Sequence, residues 1–497
     1  MDNYKTLEKI YKKVNDIDQA CAILRWDMAT VMPKSGAEAR SEQLATLSSI
    51  KHALVTDDGV GDLLQNAGTQ GRKLNDWQQA NLKLMKRQWN HWASIPRNLI
   101  RQLVLEGSKC EMVWRTARAD NDFNALAPHL KKVVNTVRQV ASLKAEVFGC
   151  SPYEALLDEY DQGRKIAQLD QVFDNLKDFL PNFIGQVVEK QKSSKITPLK
   201  GPFAIEKQKN IATKIMKVIG FDVEQGRLDE SHHPFCGGYP SDIRITTRYD
   251  ENDFNSSFMG VVHESGHAMY EANLPEKWLS QPVGQACGMS IHESQSLLIE
   301  MQVCRSKQFV KFISPLLKEE FGSKSKGFSS DNLFKIYNKV EPSFIRVDAD
   351  EVTYPAHIMI RYYMEKYLIA GEMEIDDLQE AWNQGMEKFL GVKVTSDKDG
   401  CMQDIHWMDG TFGYFPTYTL GSIYAAQLFA AATQADTNIL PSIEKGDFIP
   451  LKAWLNTNVH ELGSKMSADE IVESATGSAL DVEMYKNYLK ERYLDSY

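Results

Sequence analysis

No stretch of this sequence is apolar for long enough to cross a bilayer. The longest such run, residues 420–432, is interrupted by Gln427 and falls short of the ~20 residues a spanning helix needs. Cysteine is sparse: seven residues, an odd number, with no C-x-x-C spacing. That excludes a disulfide scaffold and fits free thiols in a reducing compartment. Positive charge is in deficit, with 57 Lys and Arg against 67 Asp and Glu and a formal net charge of -10. No basic block offsets it, so nonspecific nucleic-acid binding is excluded. The start, Met1-Asp2-Asn3-Tyr4-Lys5, has no apolar run behind it, and no signal peptide is expected. Internal repeats and low-complexity tracts are also lacking. Together these absences predict a cytoplasmic protein with neither membrane nor nucleic acid as partner.

What is present is an ordinary globular composition, 43% apolar and 25% charged over 497 residues, enough for one large domain or two to three smaller ones. Helical spacing dominates. Tyr4, Leu7, Ile10, Tyr11 and Val14 recur at helical intervals, a break follows at Met32-Pro33-Lys34-Ser35-Gly36, and a further helix is expected from Leu74 to Trp92. Residues 97–225 read as helices punctuated at Gly107, Gly149-Cys150-Ser151-Pro152, Gly163 and Gly201-Pro202. The texture changes over residues 226–249. Gly237-Gly238 and Tyr239-Pro240 precede the alternating, β-branched run Asp242-Ile243-Arg244-Ile245-Thr246-Thr247, which predicts a hairpin with an edge strand able to pair with an extended peptide. Beyond it the chain returns to helices.

Histidine is scarce as well, 11 in all, yet two of them fall in His263-Glu264-Ser265-Gly266-His267. Residues four apart share a helix face, so His263 and His267 point the same way as two imidazole ligands for one zinc-type ion. Glu264 is turned about 100° from His263. It is therefore placed to act as a general base rather than as a ligand. A catalytic zinc needs a third protein ligand, and Glu271, Glu276, Glu293 and Glu300 are the acids nearby. Glu271 lies on the same helix with poor reach, and Glu276 follows Pro275 in a loop. Glu293, on the next helix, is preferred, although Ser290-x-x-Glu293 also spells a capping box.

Six motifs in order then carry a resemblance. They are His233-Pro234-Phe235; Asp242, Arg244 and Thr246; the H-E-x-x-H segment; His292-Glu293-Ser294-Gln295; Ile345, Arg346, Ala349 and Asp350; and Gly400, Gln403, Asp404, His406 and Trp407. Leu24-Arg25-Trp26-Asp27 and the run from Tyr153 to Tyr160 extend it nearly end to end. The chain resembles the M32 metallocarboxypeptidases, the carboxypeptidase Taq type. The resemblance implies a mainly α fold with a deep groove and a small antiparallel sheet beside the zinc helix. It implies one catalytic domain over 1–497, with a helical part to about 225, a metal-site part from 226 to 430 and closing helices from 431. It also implies a homodimer, and one zinc per subunit, replaceable by cobalt, held by His263, His267 and Glu293. The implied activity is removal of the C-terminal residue from peptides with broad side-chain tolerance.

Within that frame His406 and Tyr418 are the expected oxyanion donors, with Tyr414 close behind Tyr418. An exopeptidase must read a free carboxylate, which a guanidinium fork does best. Arg346 is the first candidate and Arg244 the second, though either could be half of an ion pair, with Asp350 and Asp242 respectively. His233, Tyr414 and Gln403 complete the expected substrate-binding set, and His292 could stand behind a metal ligand or be an ordinary core histidine. The competing activities are an oligoendopeptidase or a dipeptidyl carboxypeptidase on a similar scaffold.

Overall fold

The computed structural model describes residues 2–69, 74–322 and 326–497. Among these, twenty α-helices and one three-stranded sheet make up the regular structure. The chain forms two compact units, each discontinuous in sequence. The first comprises Met1–Trp92, Lys195–Tyr337 and Tyr424–Leu480; the second comprises Ala93–Ser194, Asn338–Ile423 and Asp481–Tyr497.

The first unit opens with helix Asn3–Thr30, started by the Asp2 carboxylate, which accepts from the Lys5 amide. Its expected apolar stripe is the buried one: Tyr4, Leu7, Tyr11 and Val14 face inward. Tyr4, Leu7 and Tyr11 cluster with Val60, Leu64 and Met85. The break at Val31–Pro33 falls where the sequence places it, before a 3-10 turn at Lys34–Gly36.

The sheet differs from expectation in two respects. β2 (Cys236–Tyr239) and β3 (Asp242–Thr247) do form the hairpin, closed by the pair Tyr239↔Asp242. However, β1 (Gly226–Glu230) adds to β3 in parallel, from Gly226↔Ile243 to Glu230↔Thr247, so the sheet is mixed rather than antiparallel. β3 is therefore the central strand, not an edge. The reason is a nonlocal partner: β1 has charges at Arg227, Asp229 and Glu230 and carries no β-branched signal of its own.

The second unit is built on helices including Arg97–Asp120, Phe123–Phe148, Pro152–Tyr160, Ile166–Gln191 and Tyr354–Ala370. The breakers at 149–152 act as expected. Gly149 ends one helix in the left-handed region at φ 63°, and Ser151 starts the next with a capping box to Glu154 and Pro152 in its first turn. Gly107 does not act so; it lies inside Arg97–Asp120. A β-carbon there would come within 3.3 Å of the Asp409 backbone, so this glycine serves close packing rather than a turn.

Candidate metal centre

The helix Phe254–Ala272 carries both histidines of the H-E-x-x-H segment. Asp253 starts it by accepting from the Asn255 amide. Phe254, Phe258, Val261, Val262 and Met269 are buried and hold it in the first unit. The next helix, Gly288–Leu297, opens without a side-chain cap. Ser290 Oγ is buried with no hydrogen-bond partner, so the capping box with Glu293 does not form. Glu293 is turned toward the histidines instead: its Oε2 lies 3.5 Å from His267 Nε2 and 3.9 Å from His263 Nε2.

One ligand atom from each of His263, His267 and Glu293 falls within a mutual span of 4.8 Å. Zinc bonds of about 2.0–2.2 Å in tetrahedral array need neighbouring ligand atoms roughly 3.3–3.5 Å apart. The donor set, two imidazole nitrogens and one carboxylate, suits a single divalent cation, whose binding would draw these atoms somewhat closer together.

Both histidines are held from behind. His263 Nδ1 sits 2.9 Å from Glu300 Oε2, and Arg305 Nη2 donates to the other Glu300 oxygen at 2.7 Å. His267 Nδ1 sits 2.7 Å from His292 Nδ1, whose Nε2 is 2.8 Å from Glu271 Oε1. Glu300 is delivered by a π-helical segment, Leu298–Val303, that continues the Glu293 helix. Such wide turns recur at functional sites. Glu276 lies in a 3-10 turn, and Glu271 is spent on His292.

Glu264 is buried at 6% exposure. Burial, reinforced by the charge of Glu293 and opposed by His263, raises its carboxyl to about 7. Burial would raise Glu300 too, but Arg305 and His263 outweigh it and bring it to about 2. Burial and then His292 lower His267 to about 4. Neighbouring positive charge thus holds Glu300 and Glu293 toward the ionised form, while burial holds Glu264 toward the neutral one.

Arg244 and His233 also belong to the first unit. Arg244 makes the ion pair with Asp242, through Nε at 2.9 Å and Nη2 at 2.8 Å, and stacks over Trp26 at 4.4 Å. His233 is exposed beside His232, and its carbonyl accepts from Ser231 Oγ.

Arg346, Gln403, His406, Tyr414 and Tyr418 come together in the second unit. Arg346 does not pair with Asp350, which instead accepts from Glu341, Val352 and Thr353 amides. Its Nε and Nη2 both donate to Asp404 Oδ1, at 3.1 and 2.9 Å, and its Nη1 donates to Tyr354 at 3.0 Å. Arg361, fully buried and without a sequence signal, donates from Nε to Asp404 Oδ2 at 2.7 Å. Burial would push the Asp404 carboxyl up, but the two guanidiniums hold it well below the usual carboxylate range. Two cations share one anion, which leaves one positive charge over.

Gln403 is wired into the protein, accepting from Arg346 and Arg361 and donating to Phe344 and Asp399 carbonyls. His406 packs on Phe415 at 4.6 Å, and its Nδ1 is buried without a partner. Burial, with Asp404 opposing and Arg346 and Arg361 adding, lowers it to about 4, so it is neutral at physiological pH. Tyr414 and Tyr418 meet edge to face at 5.2 Å, and the Arg346 guanidinium lies 5.2 Å from the Tyr418 ring. Below them Glu365, which no motif marks, accepts from Trp407 Nε1 at 2.8 Å, Gly413 N at 2.9 Å and Tyr153 OH at 2.8 Å. It anchors the loop that bears His406 and Tyr414.

Among the described residues, no helix is long and apolar enough to cross a membrane, and all seven cysteines are free.

Known proteins similar to this chain are metallocarboxypeptidases. A model of the carboxypeptidase Taq (M32) metallopeptidase family matches residues 6–493. Thermostable carboxypeptidase 1 of Thermus thermophilus is 36% identical over 510 residues, covering 99% of each chain. Carboxypeptidase 1 of Bacillus subtilis is 34% identical over 489 residues, covering 98% of this chain and 97% of that protein. The solved structure of Trypanosoma cruzi metallocarboxypeptidase 1 superposes with a TM-score of 0.97 at 38% identity over 99% of both chains.

Proposed function

The chain belongs to the carboxypeptidase Taq (M32) metallopeptidase family, and from that premise we propose how it performs metal-dependent carboxypeptidase chemistry, with which residues and on which substrates. The observation that carries the reading is the convergence of His263, His267 and Glu293, with the buried Glu264 next to His263 in sequence but outside that cluster.

His263, His267 and Glu293 hold the cation, zinc by the match of two imidazoles and a carboxylate to its usual donors, with cobalt able to replace it. When bound, the ion supplies a Lewis acid that brings water within reach of a base at neutral pH. Glu264 removes the water proton as the scissile carbonyl is attacked, then delivers that proton to the leaving amine. His406 and Tyr418, with Tyr414 as the neighbouring alternative, donate to the oxygen that gains charge. A His406 that stays neutral near pH 7 suits a hydrogen-bond donor.

Arg346 reads the substrate's free α-carboxylate. The surplus positive charge of the Arg346–Arg361–Asp404 group supports this, because a buried excess charge favours an anionic partner. Arg244, already paired with Asp242, is the secondary candidate, and His233, Tyr414 and Gln403 shape the surroundings. The substrates are peptides of varied C-terminal residue. The protein works as a cytoplasmic homodimer with one ion per subunit, residues 1–497 forming one catalytic domain; the free cysteines are consistent with that compartment.

The rival activities, oligoendopeptidase and dipeptidyl carboxypeptidase, separate from this one in a single assay. The zinc-loaded enzyme is given matched peptides bearing a free C-terminal acid or its amide. Release of one residue from the acid alone is the expected result. Equal cleavage of both, or release of dipeptides, overturns the exopeptidase reading.

A further inference from the structure

The two metal-site histidines are braced by different chemistry, and the difference sets a problem of proton placement. For His263 the solution is direct. Glu300 faces Nδ1 at 2.9 Å, and an ionised carboxylate only accepts. Nδ1 therefore carries a proton, and Nε2 is the nitrogen turned toward Glu293.

For His267 the partner is another imidazole, with Nδ1 facing Nδ1 at 2.7 Å. One proton lies between the rings, and it can belong to either. If it belongs to His292, His267 carries its own proton on Nε2, toward Glu293 at 3.5 Å, and has no lone pair to give a cation. If it belongs to His267, Nε2 is bare. Glu293, an acceptor close to Nε2, favours the first arrangement, so something on the far side has to favour the second.

Glu271 is placed to do this. Its Oε1 lies 2.8 Å from His292 Nε2, on the same helix as His267 and one turn further on. An ionised carboxylate there requires a proton on His292 Nε2. A neutral His292 then has a bare Nδ1, which accepts from His267 Nδ1. We propose that Glu271 and His292 form a tautomer lock that keeps His267 Nε2 free to ligate. They are positioning residues: Glu271 acts through His292, and His292 through His267. The inference rests on the metal-centre reading above. It goes beyond that reading by assigning an outer carboxylate–imidazole relay to one ligand, where the other has a single carboxylate.

The test uses zinc affinity, measured by competition with a chromophoric chelator, on the full-length protein. His292→Phe removes the acceptor, and affinity should fall about 10- to 100-fold. His292→Asn puts an amide oxygen near the Nδ1 position and should hold affinity within about threefold of the parent, a rescue that a purely space-filling role does not give. Glu271→Leu frees His292 to take either tautomer and should fall with His292→Phe. Nitrogen-15 spectra of histidine-labelled, zinc-loaded protein should show His292 protonated on Nε2 alone. The lock is overturned if His292→Phe and Glu271→Leu bind zinc as the parent does, or if His292 carries its proton on Nδ1 in the loaded protein. Failure of the parent itself to bind zinc would bring down the metal-centre reading, and the lock with it.

Discussion

Gly266 lies against the backbone of Gln295. A β-carbon at 266 would stand 2.5 Å from the Gln295 carbonyl oxygen and 2.7 Å from Ser296 Cα. Only a bare backbone lets the two helices approach this closely, and the approach is what brings Glu293 to the histidines. Gly266→Ala should push the helices apart at a cost of about 1–3 kcal/mol. It should also weaken zinc binding at least tenfold while leaving all three ligands in the sequence. Thermal midpoints and chelator competition measure the two effects, and unchanged zinc affinity would contradict this use of the glycine.

Glu264 is assigned proton transfer and no share in holding the ion. Glu264→Gln keeps the shape and removes the base. Peptide hydrolysis should drop by about 100- to 10,000-fold, while metal content by elemental analysis stays at the parent level. Loss of metal together with activity would instead make Glu264 a ligand.

Asp404 is the shared anion of Arg346 and Arg361. Asp404→Asn leaves two buried guanidiniums facing each other across a neutral amide, so a loss of about 3–5 kcal/mol in stability is expected. Arg346→Lys is gentler. It keeps the charge but loses the fork, so KM for free-acid peptides should rise more than kcat falls. A kcat loss with KM unchanged would move Arg346 from recognition to chemistry.

Glu365 gives the fold a dependence on pH. Burial raises its carboxyl from 4.5 to about 7, against the opposing hydrogen bonds from Trp407, Gly413 and Tyr153. Between those two values the folded protein holds a proton that the unfolded chain has released. Its contribution is therefore complete below about 4.5 and is lost as pH rises through about 7. The full swing is about 3 kcal/mol. Glu365→Gln cannot ionise, so its stability relative to the parent should improve by about that amount from pH 4.5 to 8. A constant difference across that range would mean that Glu365 is ionised throughout.

The parts of the site that were legible in the sequence are those set by local geometry. His263 and His267 are one turn apart, and no tertiary contact is needed to put them on one face. Glu293 was legible only as one acid among four, because Ser290 offered it a competing local use. The structure settles its direction through Gly266, whose role depends on a neighbouring helix. Arg346 shows the same limit: the local candidate was Asp350, but the partner is Asp404, 58 residues away. Arg361, Glu365 and Arg305 left no local trace, since a buried charge is recognised by what surrounds it. In the fold, β2 and β3 announced themselves by alternation and a turn. β1 pairs in parallel from a distance, and its charged sequence hid it. Gly107 looked like punctuation because close packing and turns ask for the same residue.

The segment Leu298–Val303 closes its hydrogen bonds over five residues rather than four, so it carries surplus length relative to a regular helix. A single deletion at Leu298 or Ile299 could heal into unbroken α-helix with little backbone penalty. Glu300, drawn one position back along the helix, would turn by roughly 100° away from His263, while the residues beyond the healed turn keep their phase. A shortening that tidied the main chain would thus take the carboxylate brace from His263, and the irregular turn works as a spacer whose length sets where Glu300 falls.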